Sequence, residues 1–130
     1  MNRSLRVLAL SATAFTGLLA LSACASAEEP SVIGAWGAPE TRGEPSIVFE
    51  PDGSYTGNDG CNGIGGRWRN DTGADNTGTV DLGTMHSTRM FCEGVDTWLS
   101  LARSAELSGD TLTLLDEGGG EIGTLQRADD

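Results

Sequence analysis

The chain contains no lysine and a single histidine. Across 130 residues its cationic charge rests on arginine, eight Lys+Arg positions against 19 acids, for a formal net charge of −11. That balance repels nucleic acid and anionic headgroups and excludes a polyanion-binding role built on basic patches. A phosphate loop is missing as well: the glycines at 60, 63, 65 and 66 lack a Gly-Lys-Ser/Thr ending and read as turns and bulges. Asp52, Asn58 and Asp59 lack the spacing of a twelve-residue calcium loop. No internal repeat is present, and no helical pattern is long enough for a bundle. Beyond residue 21 no long apolar run remains, so nothing there reads as a membrane span.

The N-terminus is the exception. Arg3 and Arg6 form a basic start, residues 8–21 carry no charge, and small residues follow. This is the three-part layout of an export signal. The apolar run falls short of the ~20 residues that a spanning helix needs. It closes on Leu21-Ser22-Ala23-Cys24, where two small residues admit a peptidase and the thiol can take a diacylglyceryl group. A short membrane anchor and plain cleavage after Ala27 are the alternatives. The reading is a lipoprotein signal peptide over 1–23, with Cys24 as the lipidation site and a palmitate-type acyl anchor. The chain is then expected on the extracytoplasmic face of a bacterial cell membrane. No aspartate follows Cys24, and the lysine-free usage rich in Gly, Asp and Thr favours a single-membrane host.

All the acids lie beyond residue 27, and six arginines against 19 acids leave the processed chain at −13. The acids are scattered and read as a solvated surface. Residues 24–31 are small, polar and acidic, a flexible tether. Residues 32–127 are long enough for one domain. Trp36, Phe49, Tyr55, Trp68, Phe91 and Trp98 are spread along it, which a disordered acidic chain would lack.

Short strands are expected at 46–50, 54–57, 61–69, 79–82, 85–90, 106–107, 111–115 and 121–126. Pro51-Asp52-Gly53 supplies a hairpin turn, and the glycines at 63, 65 and 66 predict a bulge or sharp bend. Residues 71–77 read as a polar loop. Phe91, Val95, Trp98, Leu99 and Ala102 recur at helical spacing and predict an amphipathic helix of about three turns. The expected class is mainly β (α+β): a small curled antiparallel sheet or partly open barrel with one amphipathic helix.

With Cys24 taken by lipid, Cys61 and Cys92 remain. In an oxidising compartment such a pair most often forms a disulfide. A metal site and free thiols are the alternatives. Zinc takes about four ligands, and His86 is the one histidine to join the two sulfurs.

Both cysteine neighbourhoods are patterned. Gly57-Asn58-Asp59-Gly60-Cys61-Asn62-Gly63 resembles the Gly-Cys-Asn motif of the META domain family, the family that includes the heat-inducible protein HslJ. Thr88-Arg89-Met90-Phe91-Cys92 resembles its second motif, Thr-Arg-Met-x-Cys. A strand ending in Pro-Asp-Gly precedes the first motif, an expected helix with acidic and aromatic residues follows the second, and then comes the strand Gly109-Asp110-Thr111-Leu112-Thr113-Leu114. The similarity covers about residues 32 to 127. It implies a compact β-rich domain with one helix, often found in envelope lipoproteins, with no established activity and loose links to heat response, antibiotic tolerance, motility and secretion. It also implies structural roles for Gly60, Cys61, Asn62, Thr88, Arg89, Met90 and Cys92.

Catalysis has little support in the residues. His86 alternates with Met85 on an expected strand, so its neighbour Ser87 faces the other way, and no orienting carboxylate is evident. Asn70-Asp71-Thr72 matches a glycosylation acceptor by pattern alone. No catalytic residue, metal or cofactor is assigned. The expectation is a non-catalytic envelope stress or protein-interaction module, whose partners are the membrane through Cys24 and another envelope protein, with no nucleic acid. The alternative is a lipocalin-like carrier of a small apolar ligand, its barrel interior lined by Trp36, Tyr55, Trp68 or Trp98.

Overall fold

A computed structural model describes residues 31–70 and 78–128 of the protein. The expected leader, Cys24, the tether up to residue 30 and the polar loop at 71–77 lie outside the described residues. Two five-stranded antiparallel sheets make up the domain. The first takes β1 (Gly34–Gly37), β2 (Ser46–Phe49), β3 (Ser54–Asn58), β4 (Gly63–Arg67) and β7 (His86–Ser87), hydrogen-bonded in that order. The second runs β10 (Glu121–Gln126), β9 (Thr111–Leu115), β8 (Ser104–Ser108), β6 (Thr79–Asp81) and β5 (Arg69–Asn70).

The turns follow from short acidic side chains that cap their own loops. Asp52 Oδ1 accepts the Ser54 N–H at 2.8 Å and the Ser54 hydroxyl at 2.6 Å, closing the β2–β3 hairpin. Asp116 Oδ1 accepts the N–H groups of Gly118 and Gly120, each at 2.9 Å, between β9 and β10. The registers then place Phe49 opposite Tyr55 and Leu107 opposite Leu112.

The mainly β, antiparallel class stands, but the sheet is not one ribbon and does not close into a barrel. The expected strand at 61–69 is cut at Trp68, where the chain leaves the first sheet and enters the second. Trp68 holds that corner. Its N–H donates to Gly53 O at 2.9 Å, its indole donates to Glu50 O at 3.0 Å, and its ring meets Phe49 edge-on at 5.9 Å. A second junction joins β1 to the residues after β10, through a Trp36–Arg127 bridge and a 3.0 Å bond from Ala128 N–H to Ala35 O. The Arg127 guanidinium lies 4.2 Å above the Trp36 ring and donates to Ser31 O at 2.8 Å, fixing where the chain enters the domain.

The core fills the space between the sheets. Trp36, Ile47, Phe49, Tyr55, Val80, Leu82, Leu99, Leu112 and Leu114 are all buried. The buried Tyr55 hydroxyl donates to Leu82 O at 2.9 Å, and burial pushes its phenol up to about 12.

The expected helix is corrected. In place of three turns there is one 3₁₀ turn, Trp98–Leu101. Gly94 sits at φ +74°, which breaks a right-handed helix. Val95 and Thr97 are β-branched, and Cys92 is tied elsewhere by its sulfur. The apolar stripe also fails at its head, because Phe91 is 90% exposed. What remains of the stripe is real: Leu99 and Ala102 are fully buried, and a Cβ on Gly123 would lie 2.6 Å from the Trp98 ring. The segment at 85–90 keeps two residues of strand, His86 and Ser87 against Gly65 and Ile64.

Candidate functional site around the disulfide

The loop from β3 to β4 is wound by its own side chains. Asn58 Oδ1 accepts the Gly60 N–H at 2.7 Å. Asp59 Oδ1 accepts the N–H groups of Cys61 at 2.9 Å and Asn62 at 2.6 Å, and Asp59 N–H donates to Asn62 O at 2.9 Å. Gly60 adopts φ +102°, and a Cβ there would lie 2.9 Å from Gly43 O, so both backbone angle and space call for glycine.

The loop delivers two groups to the segment at 88–92. One is covalent: Cys61 and Cys92 form a disulfide with Cα atoms 5.8 Å apart. The other is the Asn62 amide, which pairs with Met90 as a backbone peptide would. Its Oδ1 accepts the Met90 N–H at 2.6 Å and its Nδ2 donates to Met90 O at 3.3 Å. Oδ1 also accepts the Thr88 hydroxyl at 3.0 Å. That hydroxyl accepts the Gly63 N–H at 3.1 Å, and Thr88 N–H donates to Gly63 O at 3.0 Å. Asn62 thus extends the β4–β7 ladder past its last strand pair with a side chain in place of backbone.

Met90 and Phe91, held between Asn62 and the disulfide, are 62% and 90% exposed. A groove of about 550 Å³ lies beside them, lined by residues that include Arg42, Gly60, Cys61, Met90 and Cys92. Another cavity, of about 530 Å³, is polar and is lined in part by Asp59, Asn62, His86, Thr88, Arg89 and Ser100.

Gly60, Cys61, Asn62, Thr88, Arg89, Met90 and Cys92 therefore converge on two adjoining loops whose residues border both cavities. A scan against family models matches the META domain over residues 28–129. The chain belongs to the META domain family. Comparison with curated proteins and with solved structures gave no match. In this META domain the first motif supplies the clamp, Cys61 and Asn62, and the second supplies what is clamped.

The Ser87 hydroxyl donates to Thr88 O at 2.9 Å and the Ser100 hydroxyl to Thr97 O at 2.8 Å. Asp59 spends one oxygen on its own loop, and among the described residues no hydrogen bond joins His86 to a serine or a carboxylate. No three His, Cys, Asp or Glu side chains among the described residues converge as metal ligands. Outside the site, the Gly83 N–H and the Arg69 guanidinium hold the Asp81 carboxyl below the usual range.

Two members of the site were not legible in the sequence. Asp59 reads there as one of three scattered acceptors, yet it is 1% exposed and caps the loop. Its signal is local: an Asx residue followed at two and three positions by free N–H groups. Phe91 belongs by spacing to the apolar stripe, yet it stands in solvent.

Proposed function

We propose that this META-domain protein is a non-catalytic module, lipid-anchored through Cys24 on the extracytoplasmic face of the membrane, that binds another envelope protein as part of a stress response. The observation that carries this reading is the near-full exposure of Phe91, beside Met90, on a segment fixed by one disulfide and the Asn62 clamp. Single exposed apolar residues are common. A rigidly held pair is different, because little side-chain and loop freedom is left to lose on binding. Aromatic residues and methionine are also the types enriched at the centres of interfaces. Fully burying a side chain of this kind contributes about 1.5–3 kcal/mol.

The carrier alternative draws less support. Trp36, Tyr55 and Trp68 are at most 9% exposed and pack within the core, with Phe49 at 5.9 Å from both Tyr55 and Trp68. The cavities beside the motif loops are bordered by loop residues instead.

The test is site-specific photo-crosslinking in cells, with a photoreactive phenylalanine at position 91 and a control at the exposed Gln126. The reading expects a discrete protein adduct at 91 that is absent at 126. Adducts confined to lipid, or identical at both positions, would overturn it. Mass spectrometry of the N-terminal peptide and fractionation of Cys24→Ala test the anchor: the variant should leave the membrane fraction.

A further inference from the structure

We propose that Asn62-Gly63 is a self-modification site guarded by the clamp: once the Cys61–Cys92 disulfide is lost, Asn62 deamidates, and the Met90–Phe91 segment can no longer be locked. Asparagine is among the chemically labile residues. It is most labile before glycine, where no side chain shields the backbone nitrogen that attacks it. Asn62 is the chain's only asparagine followed by glycine. The steps balance without a cofactor. The Gly63 backbone nitrogen attacks Asn62 Cγ and gives up its proton, Nδ2 leaves as ammonia, and a succinimide forms. Water then opens that ring to aspartate or isoaspartate.

In the oxidised protein the geometry opposes the first step. Asn62 is 7% exposed, and its carboxamide is turned toward the facing segment by bonds to Met90 N–H, Met90 O and the Thr88 hydroxyl. Swinging Cγ onto the Gly63 nitrogen breaks them. That nitrogen is itself engaged, its N–H donating to Thr88 Oγ1 at 3.1 Å. The disulfide secures the arrangement from both sides, since Cys61 adjoins Asn62 and Cys92 lies two residues beyond Met90. A dithiol that takes over the bond, itself becoming a disulfide, leaves two thiols and frees the loops. A glycine at 63 is not demanded by the fold. It opens β4 without a positive φ, and a Cβ there would meet nothing within 4 Å, unlike one at Gly60. The residue that makes Asn62 labile is therefore one that the strand could replace. Conversion is also permanent for the clamp. Aspartate sets a carboxylate oxygen where Nδ2 donated to Met90 O, and isoaspartate adds a methylene to the main chain. Reoxidation then restores the crosslink but not the lock. The inference concerns Asn62 itself and does not require a partner at Phe91.

The experiment is timed incubation of the full chain in mild detergent at mildly alkaline pH, with and without dithiothreitol, followed by peptide mass spectrometry. Trypsin cleavage after Arg42 and Arg67 releases one fragment with both Asn62 and Asn58, and Asn58, which precedes Asp59, is the internal control. Asn62 should convert tenfold or more faster with dithiothreitol than without, and tenfold or more faster than Asn58 in the same reduced sample. Cys61→Ser with Cys92→Ser should match the reduced parent with no reductant present. Gly63→Ala should slow the reduced rate tenfold or more while leaving the melting temperature of the oxidised protein unchanged. After reoxidation, unconverted protein should regain slow exchange at the Met90 amide and converted protein should not. The inference is overturned if oxidised and reduced protein convert Asn62 at the same rate, if reduced Asn62 outlasts Asn58, if Gly63→Ala converts as fast as the parent, or if converted protein regains the Met90 protection.

Discussion

Replacing Asn62 by alanine should loosen the domain by an amount that can be worked from its contacts. Asn62 is 7% exposed and makes three side-chain hydrogen bonds, two to Met90 and one from Thr88. Such bonds contribute about 0.5–1.5 kcal/mol each. Met90 is 62% exposed, so water can take over part of what its backbone loses. The Thr88 hydroxyl keeps the Gly63 N–H but loses its own acceptor. The sum is about 2 kcal/mol, from three bonds discounted for that rehydration. For a domain of this size the loss corresponds to a melting temperature lower by roughly 8–16 °C. Urea unfolding followed by tryptophan fluorescence, with the disulfide intact, gives the number directly. The midpoint should fall with little change in slope. Asn62→Asp should cost at least as much, because it sets a carboxylate oxygen against Met90 O. An Asn62→Ala variant within about 0.5 kcal/mol of the parent, the range of an ordinary surface change, would refute the reasoning.

The disulfide closes a loop with a sequence separation of 31. Its removal as Cys61→Ser with Cys92→Ser should cost ~3.5–4 kcal/mol in the chain-entropy picture, and a measured loss well under half of that in urea would contradict it. Tyr55 gives an alkaline test. Burial raises its phenol from 10.0 to about 12, so its contribution is fully present below pH 10 and is lost as pH rises through 12. The loss should be on the order of 3 kcal/mol. The window is clean, since the chain has no lysine and no second tyrosine. Tyr55→Phe should flatten the pH dependence while costing about 1–2 kcal/mol at neutral pH through the orphaned Leu82 carbonyl. A parent whose stability is level between pH 10 and 12 would contradict this. Gly60→Ala should cost about 2 kcal/mol or more through its positive φ and the Gly43 carbonyl. Gly63→Ala, with nothing within 4 Å, should stay within about 0.5 kcal/mol. Equal effects at the two glycines would contradict the account of the loop.

Sequence patterns gave away the parts of the fold that are local. The strands at 111–115 and 121–126 end where the residues say they should, because each is bounded by a Gly-Asp or an acidic glycine-rich turn. The hairpin at Pro51-Asp52-Gly53 is equally local. What the pattern missed depends on distant partners. β1 reads Gly-Ala-Trp-Gly, with weak strand propensity, and is held by pairing with β2 and by Arg127 at the far end of the chain. The helical spacing misleads because a period of three to four survives only from Trp98 to Ala102, while Gly94 and the disulfide dictate the conformation before it. At the site, the motifs identified Cys61, Asn62 and Thr88, but the burial of Asp59 and the exposure of Phe91 emerge only once both loops are joined.

The central claim is that one crosslink and one amide hold Met90 and Phe91 rigidly in solvent. Amide hydrogen exchange and ¹⁵N relaxation at these two residues, in oxidised and reduced protein, test it most directly. The account predicts a protected Met90 amide in the oxidised form, with order parameters near ~0.85 at both residues, and loss of both on reduction or in Asn62→Ala. A Met90 amide that exchanges as freely as in an unstructured peptide, or order parameters below about 0.6 in the oxidised protein, would contradict it.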